Sequence, residues 1–316
     1  MIGRYYLGTP EPSWLRLPEF ASCPPRDPYR SELRPGIEGA LFVSHARLRR
    51  LKTHRPAVVP WALDSMGFSM LKQEGRWTIS PQEYVDAVMR YEDEIGLLEW
   101  CSPQDWMCEE LIRKGGVDDS GQVFVGTRKS VVEHQELTVQ NFLDLTALYE
   151  DQGSRPTPPA VRKTPQDWYG DSPFMPVLQG DPEDPESHLR CAELYESAGV
   201  RLSEFPIVGV GSVCRLQDTA AVGRIIQSLS ELDILMHGFG VKVEGLRRYG
   251  HLLESADSQA WSYGMRRRAR LAGCTHRAKA CSWCPIAALA WRDRAMKRLV
   301  KNCADHGQME LFEEAA

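Results

Sequence analysis

Short apolar runs bounded by turn residues recur along the chain, and several have no polar alternation. They are Tyr5–Leu7, Ala40–Val43, Val58–Leu63, Ile95–Trp100, Phe174–Leu178, Phe205–Val210, Ile234–Gly238 and Leu252–Ala256. Uninterrupted apolar runs of this length are expected of parallel strands buried on both faces. Between several of them the spacing changes to that of helices. Pro81–Glu94 opens behind Ser80 as N-cap and places Tyr84, Val85, Val88 and Met89 on one face. Pro185–Ala198 stops at Gly199, and Asp218–Ser230 has the same character. Eight strands with intervening helices imply an α/β fold, a (β/α)8 TIM-like barrel, with an open doubly wound sheet as the alternative.

Two segments depart from that pattern. Residues 110–170 are long for one connection and contain the Pro-rich run Ser154–Pro159. They are expected to hold an inserted hairpin or loop and a helix near Thr138–Tyr149. The expected organisation is a barrel over residues 1–265 with an insertion near 110–170, then a zinc-binding segment and C-terminal tail over 266–316.

Composition narrows the function classes. The chain has 316 residues, 42% hydrophobic and 26% charged, as in ordinary soluble proteins. A net charge of -5 does not signal wholesale binding to nucleic acid, so any such binding needs a local patch. No apolar stretch of about 18 residues is present, which excludes an ordinary transmembrane helix. The first residues lack the pattern of a secretory signal, and a cytoplasmic location is expected. Of nine cysteines, three crowd into residues 274–284, which fits free thiols and one metal site better than a disulfide scaffold.

That cluster reads Cys274, His276, Cys281 and Cys284, four soft or borderline ligands within eleven residues. Thiolates and an imidazole suit tetrahedral Zn²⁺, and a full set of protein ligands makes it structural. A redox Cys-x-x-Cys is the other reading of Cys281 and Cys284. Cys303 and His306, 19 and 22 positions beyond Cys284, are possible replacements for Cys274 or His276.

In a barrel, functional groups gather where strands end. Those ends carry Asp64-Ser65-Met66-Gly67-Phe68, Gln104-Asp105, Gln179-Gly180, Gly209-Val210-Gly211-Ser212, His237-Gly238-Phe239-Gly240 with Lys242, and Asp257. Asp and Gly also mark ordinary turns, and for any single site that reading is as good. Together the set has a chemical logic. An amide and a carboxylate can bond the edge of a purine-like base, and glycines admit it to the backbone. Two further carboxylates can divide nucleophilic and acid/base work in glycosyl transfer.

These segments resemble the tRNA-guanine transglycosylase superfamily. Asp64-Ser65-Met66-Gly67-Phe68 is similar to that family's Asp-Ser-Gly-Gly-Phe, Leu178-Gln179-Gly180 to its Val-Gln-Gly-Gly with one glycine missing, and Gly238-Phe239-Gly240 to its Gly-Val-Gly. The resemblance runs from about residue 60 to 285 and implies Asp257 as nucleophile, Asp64 as acid/base and Asp105, Gln179, Gly180, Ser65, Phe68 and Gly211 as base-binding residues. The zinc site resembles the family's too, with His276 where the family has cysteine. The blocks Pro103–Cys108, Gly209–Arg215 and His237–Lys242 look more like the DNA-directed branch, which exchanges guanine for a 7-deazaguanine such as preQ0. A tRNA substrate is the alternative, as are a base-releasing glycosidase and a non-catalytic zinc-containing barrel that binds nucleic acid. His237, Lys242, Arg215, Arg266, Arg267 and Arg268 are candidate nucleic-acid contacts, although a solvated helix face explains the arginine run equally well and His237 and Lys242 also read as satisfied rim residues. Lastly, Gln308–Phe312 resembles the short peptide that docks on the bacterial sliding clamp; Leu311 and Phe312 packing on the barrel is the other reading.

Overall fold

The computed structural model describes residues 3–21, 38–152, 172–213, 219–266 and 268–296. Arg215, Arg267, Cys303, His306, the Ser154–Pro159 run and Gln308–Phe312 lie outside the described residues.

The strands in chain order are β1 (Arg4–Thr9), β2 (Glu38–Ser44), β3 (Trp61–Asp64), β4 (Leu98–Cys101), β5 (Gly116–Val117), β6 (Val123–Phe124), β7 (Val177–Leu178), β8 (Val208–Val210), β9 (Met236–Gly238) and β10 (Ser255–Ser258). The helices include α1 (His45–Leu48), α2 (Gly67–Glu74), α3 (Pro81–Glu94), α4 (Glu110–Lys114), α5 (Val131–Asp151), α6 (Pro185–Ser197), α7 (Thr219–Leu229), α8 (Val243–Tyr249) and α9 (Ala260–Met265), and residues 285–296 are helical as well. Eight strands form one parallel sheet in the order β4-β3-β2-β1-β10-β9-β8-β7. Its two ends meet. Cys101 at the end of β4 bridges Phe174 in parallel, with N–H of Cys101 on the Pro173 carbonyl at 2.8 Å and N–H of Met175 on the Cys101 carbonyl at 3.1 Å. That closure is the barrel, and it sets aside the open doubly wound sheet.

All eight expected strands are present, several displaced at one end. The third starts at Trp61, after Pro60, because a proline cannot donate to the ladder. The fourth starts at Leu98, because Gly96 and Leu97 turn through φ values of 68° and 55°. The last begins at Ser255, after a short 3-10 turn over Gly250–Leu252, so Asp257 stands within β10. The expected inserted hairpin is β5–β6. The expected helix near Thr138–Tyr149 is longer than the apolar spacing alone outlines. It starts at Ser130, which forms a reciprocal cap with Glu133.

The strands carry two cores. Tyr5, Leu7, Leu41, Val43, Leu63 and Val208 face the helices. Tyr6, Ala40, Ala62, Trp100, Val177 and Ile207 fill the bore, with Phe42 and Phe239 packed on them. A bulge between β3 and β4 turns both Glu99 and Trp100 inward. There the Tyr6 hydroxyl donates to Glu99 at 2.8 Å and accepts from the Trp100 indole at 2.8 Å, while Arg4 pairs with Glu99. The bore is thereby closed below the rim on which the site stands.

Candidate active site

Three carboxylates converge on the C-terminal rim. Asp257 stands opposite Tyr6 in the sheet register, Tyr6 opposite Ala40, and Asp64 opposite Ser44. Asp64 is therefore four positions further along β2 than Asp257. Strand tilt in a barrel takes up about one position per strand, so over the three steps from β10 to β3 the two carboxylates come to nearly the same height. Their fields meet. Burial pushes the Asp64 carboxyl above the usual range, a Ser44 hydrogen bond and the Met66 N–H oppose this, and the charge of Asp257 adds to it.

Asp257 is 6% exposed, and the Gly240 N–H donates to its Oδ1 at 2.8 Å. His237 Nε2 lies 3.4 Å from the same oxygen, and its Nδ1 lies 2.8 Å from the Ser255 hydroxyl. His237 is fully buried in a cage that includes Tyr6, Phe42, Trp100 and Phe239. The sequence left it as a phosphate or base contact or a satisfied rim residue; it stands under the Asp257 carboxylate. Lys242 caps α8 in the loop beyond.

The third carboxylate is tied to a directed chain of hydrogen bonds. The Cys108 N–H donates to the Ser212 hydroxyl at 2.8 Å, and that hydroxyl donates to Gln179 Oε1 at 2.5 Å. The Gln179 amide then donates to Asp105 Oδ2 at 2.5 Å. Ser212 holds a left-handed φ of 56°, a conformation rare outside glycine and often found at sites. Burial raises the Asp105 carboxyl to about 7, helped by the charge of Asp64 and resisted by the Gln179 hydrogen bond.

The glycines are sterically required. A Cβ on Gly211 would lie 2.3 Å from the Gln179 amide nitrogen, and one on Gly180 would lie 2.4 Å from the ring of His188. His188 itself is buried and reaches the Gly211 carbonyl at 3.1 Å. Helix α5 buttresses this pocket through the face that carries its polar residues. Thr138 accepts from the Trp106 N–H at 2.9 Å, Asn141 donates to the Gln104 carbonyl at 2.6 Å, and His134 meets the Met107 carbonyl at 2.7 Å. Next to His134 in the chain, Gln135 donates to the Gln179 carbonyl at 2.8 Å. Sequence reading missed His188 and Gln135, and it placed Ser212 at a Gly-rich strand end without giving it a role.

Of the other expected base contacts, Ser65 is buried and its N–H donates to the Ser102 hydroxyl at 2.9 Å. Phe68 packs edge-on against Phe124 of the hairpin, with ring centres 5.9 Å apart. Arg266 and Arg268 are exposed beyond β10. The Arg266 guanidinium lies over Tyr263 at 5.7 Å, and Arg268 lines a cavity with Val243, Trp291, Arg294 and Ala295.

Donor atoms of Cys274, His276, Cys281 and Cys284 all lie within 4.8 Å of one another. Cys274 and Cys284 sulfurs are 3.5 Å apart, Cys274 and Cys281 3.7 Å, and His276 Nε2 is 3.3 Å from Cys281. Tetrahedral bonds of about 2.3 Å separate ligands by about 3.7 Å, so the set fits one metal ion. The Leu271 N–H donates to Cys281 Sγ at 3.2 Å, a contact that suits a thiolate ligand.

The family model for DpdA, DeoxyPurine in DNA protein A, matches residues 1–311, a span that takes in the rim, the hairpin and the cysteine cluster. The chain belongs to the DpdA family. DpdA proteins are guanine transglycosylases of 7-deazaguanine modification that act on DNA, and among the sequence alternatives this supports the DNA-directed one. No curated protein matches the chain. No helix among the described residues of this DpdA chain is long and apolar enough to cross a membrane.

Proposed function

We propose that this DpdA protein exchanges guanine in DNA for a 7-deazaguanine, such as preQ0, by double displacement through an ester on Asp257. One observation supports the reading: Asp64, Asp105 and Asp257 come from strand ends on one rim, where the charge of Asp257 reaches Asp64 and that of Asp64 reaches Asp105. A carboxylate Oδ2 of Asp257 attacks C1′ while Gly240 and His237 engage Oδ1. The C1′–N9 bond breaks, and its electron pair leaves with guanine, which takes a proton from Asp64. Burial that favours protonated Asp64 suits this step. The deazaguanine then gives its N9 proton to Asp64, its N9 bonds to C1′, and the ester bond to Asp257 breaks. Asp105 and Gln179 read the base edge, with Gly180 and Gly211 keeping the backbone clear and Ser65 and Phe68 bordering the pocket.

The target base must leave the stack to reach C1′ from this rim. Arg266, Arg268 and Lys242 contact phosphates beside it. The metal is structural Zn²⁺ held by Cys274, His276, Cys281 and Cys284. Gln308–Phe312 serves as a tether to the sliding clamp, for which binding of a 305–316 peptide to purified clamp is the check. The enzyme works in the cytoplasm. Incubation with labelled guanine or preQ0 and duplex DNA, single-stranded DNA or tRNA tests the whole reading. Label is expected in DNA; label in tRNA alone, or none in any polymer, overturns it.

A further inference from the structure

The turn between Cys281 and Cys284 carries a tryptophan that the chemistry does not use. Trp283 is 47% exposed although its backbone is tightly held. The Cys284 N–H closes the turn on the Cys281 carbonyl at 3.3 Å, and both flanking cysteines belong to the metal-binding cluster. The Ser262 hydroxyl of α9 donates to the Ser282 carbonyl at 2.8 Å. A single exposed aromatic is ordinary. This one is presented on a mount that cannot withdraw it.

Its position is fixed from two sides. Arg47 places its guanidinium 5.0 Å over the Trp283 ring. Arg47 lies on α1, which starts where β2 ends, so it belongs to the same rim as Asp64. Ser262 follows Asp257 by five residues, at most about 18 Å of chain. Trp283 therefore stands at the edge of the catalytic rim; Tyr263, next in the chain to the Ser262 that ties down the Ser282 carbonyl, is itself 55% exposed. Its surroundings have the opposite sign to the rest of the chain. Residues 260–296 hold eight Lys or Arg and one acidic residue, Asp293, in a protein of net charge -5. An exposed aromatic with one guanidinium over it, in a basic segment, is the arrangement that single nucleic-acid strands stack on.

We propose that Trp283 stacks on a nucleobase flanking the extruded guanine and holds the opened strand while the exchange proceeds. The proposal rests on reading 260–296 as the DNA side of this DpdA enzyme. Stacking of this kind contributes enough that Trp283→Ala should weaken DNA binding at least about fivefold. Thermal midpoint and circular dichroism should be unchanged, as should the slope of log affinity against log salt, because no phosphate contact is lost. Trp283→Phe should restore most of the affinity. Replacing Arg266 and Arg268 by Gln should lower both affinity and the salt slope. If those arginine variants bind as wild type does, the reading of the basic face fails. If they weaken binding but Trp283→Ala does not, only the stacking proposal fails. Photocrosslinking of wild-type protein to DNA with 5-iodouracil next to the target guanine decides the case even where Trp283→Ala does not fold. A crosslinked peptide containing Trp283 is expected; crosslinks confined to other peptides overturn the proposal.

Discussion

Gln179 donates its amide proton to Oδ2 of Asp105 at 2.5 Å while its own oxygen accepts from Ser212. The orientation of the amide is thereby fixed, and Asp105 is left to accept from a base edge only when ionised. Its carboxyl is raised from 3.8 to about 7, chiefly by burial. For the incoming base, kcat/KM should fall as pH drops below about 7, since that quantity reports the enzyme form the base meets, here the Asp257 ester, in which burial still holds the Asp105 carboxyl up. Asp105→Asn should raise KM for the base far more than it lowers kcat and should flatten the profile. The linkage sign gives a second readout. A carboxyl raised on folding costs no stability below its unfolded value near 3.8, and that cost grows as pH rises to about 7. Relative to wild type, Asp105→Asn should therefore gain more thermal stability at pH 8 than at pH 4. Equal gains at both pH values would refute the assignment.

Asp257 and Asp64 should separate in kinetics. Asp257→Asn leaves the Gly240 N–H an acceptor at the same position, so the fold should persist while exchange is lost. Wild-type enzyme denatured during turnover should carry a covalent DNA adduct by mass spectrometry, and Asp257→Asn should carry none. Asp64→Asn should slow exchange by roughly 10²- to 10⁴-fold, the usual worth of a positioned proton donor. Near-normal exchange by Asp257→Asn would remove it as the nucleophile.

The barrel could be read from the apolar runs because buried parallel strands need no alternation, and the capped helix Pro81–Glu94 could be read to its ends. Strand ends were harder. The turn at Gly96 and Leu97 and the 3-10 turn before Ser255 depend on backbone dihedrals that no period records. Among the site residues, Asp64, Asp105 and Asp257 follow from position at strand ends. His237 does not, because the same position admits a side chain pointing to the rim or into the bore, and only the rings of Tyr6 and Trp100 settle which. Gln135 and His188 are helix residues whose partners are 44 and 23 positions away, a relationship no local pattern encodes.

Gly211 tests the base pocket without touching a reacting group. A Cβ there would sit within 2.6 Å of all three Gln179 amide atoms, and that amide is pinned at both ends. Gly211→Ala should displace Gln179 and cost about 1–3 kcal/mol of stability, as overpacking does. KM for the base should rise more than tenfold with a smaller change in DNA affinity. Unchanged KM would mean that Gln179 does not read the base.

The metal cluster offers the last test. Cys281 is the most buried of its four candidate ligands, and its sulfur meets Cys274, His276 and the Leu271 N–H. A structural metal contributes folding energy directly, because its ligands come together only in the folded chain. Cys281→Ser should therefore lose Zn²⁺, which elemental analysis should find at one per chain in wild type. The thermal midpoint should fall by at least about 6 °C, since each kcal/mol moves a domain of this size by roughly 2–4 °C. DNA binding should weaken as well, because the turn after Cys281 is the one that Ser262 ties to the helix following Asp257. His306→Ala should retain the metal, as four other donors already lie within 4.8 Å of one another. Full metal content in Cys281→Ser would exclude this set. Loss of metal from His306→Ala with retention in Cys274→Ser would move the fourth ligand to the tail.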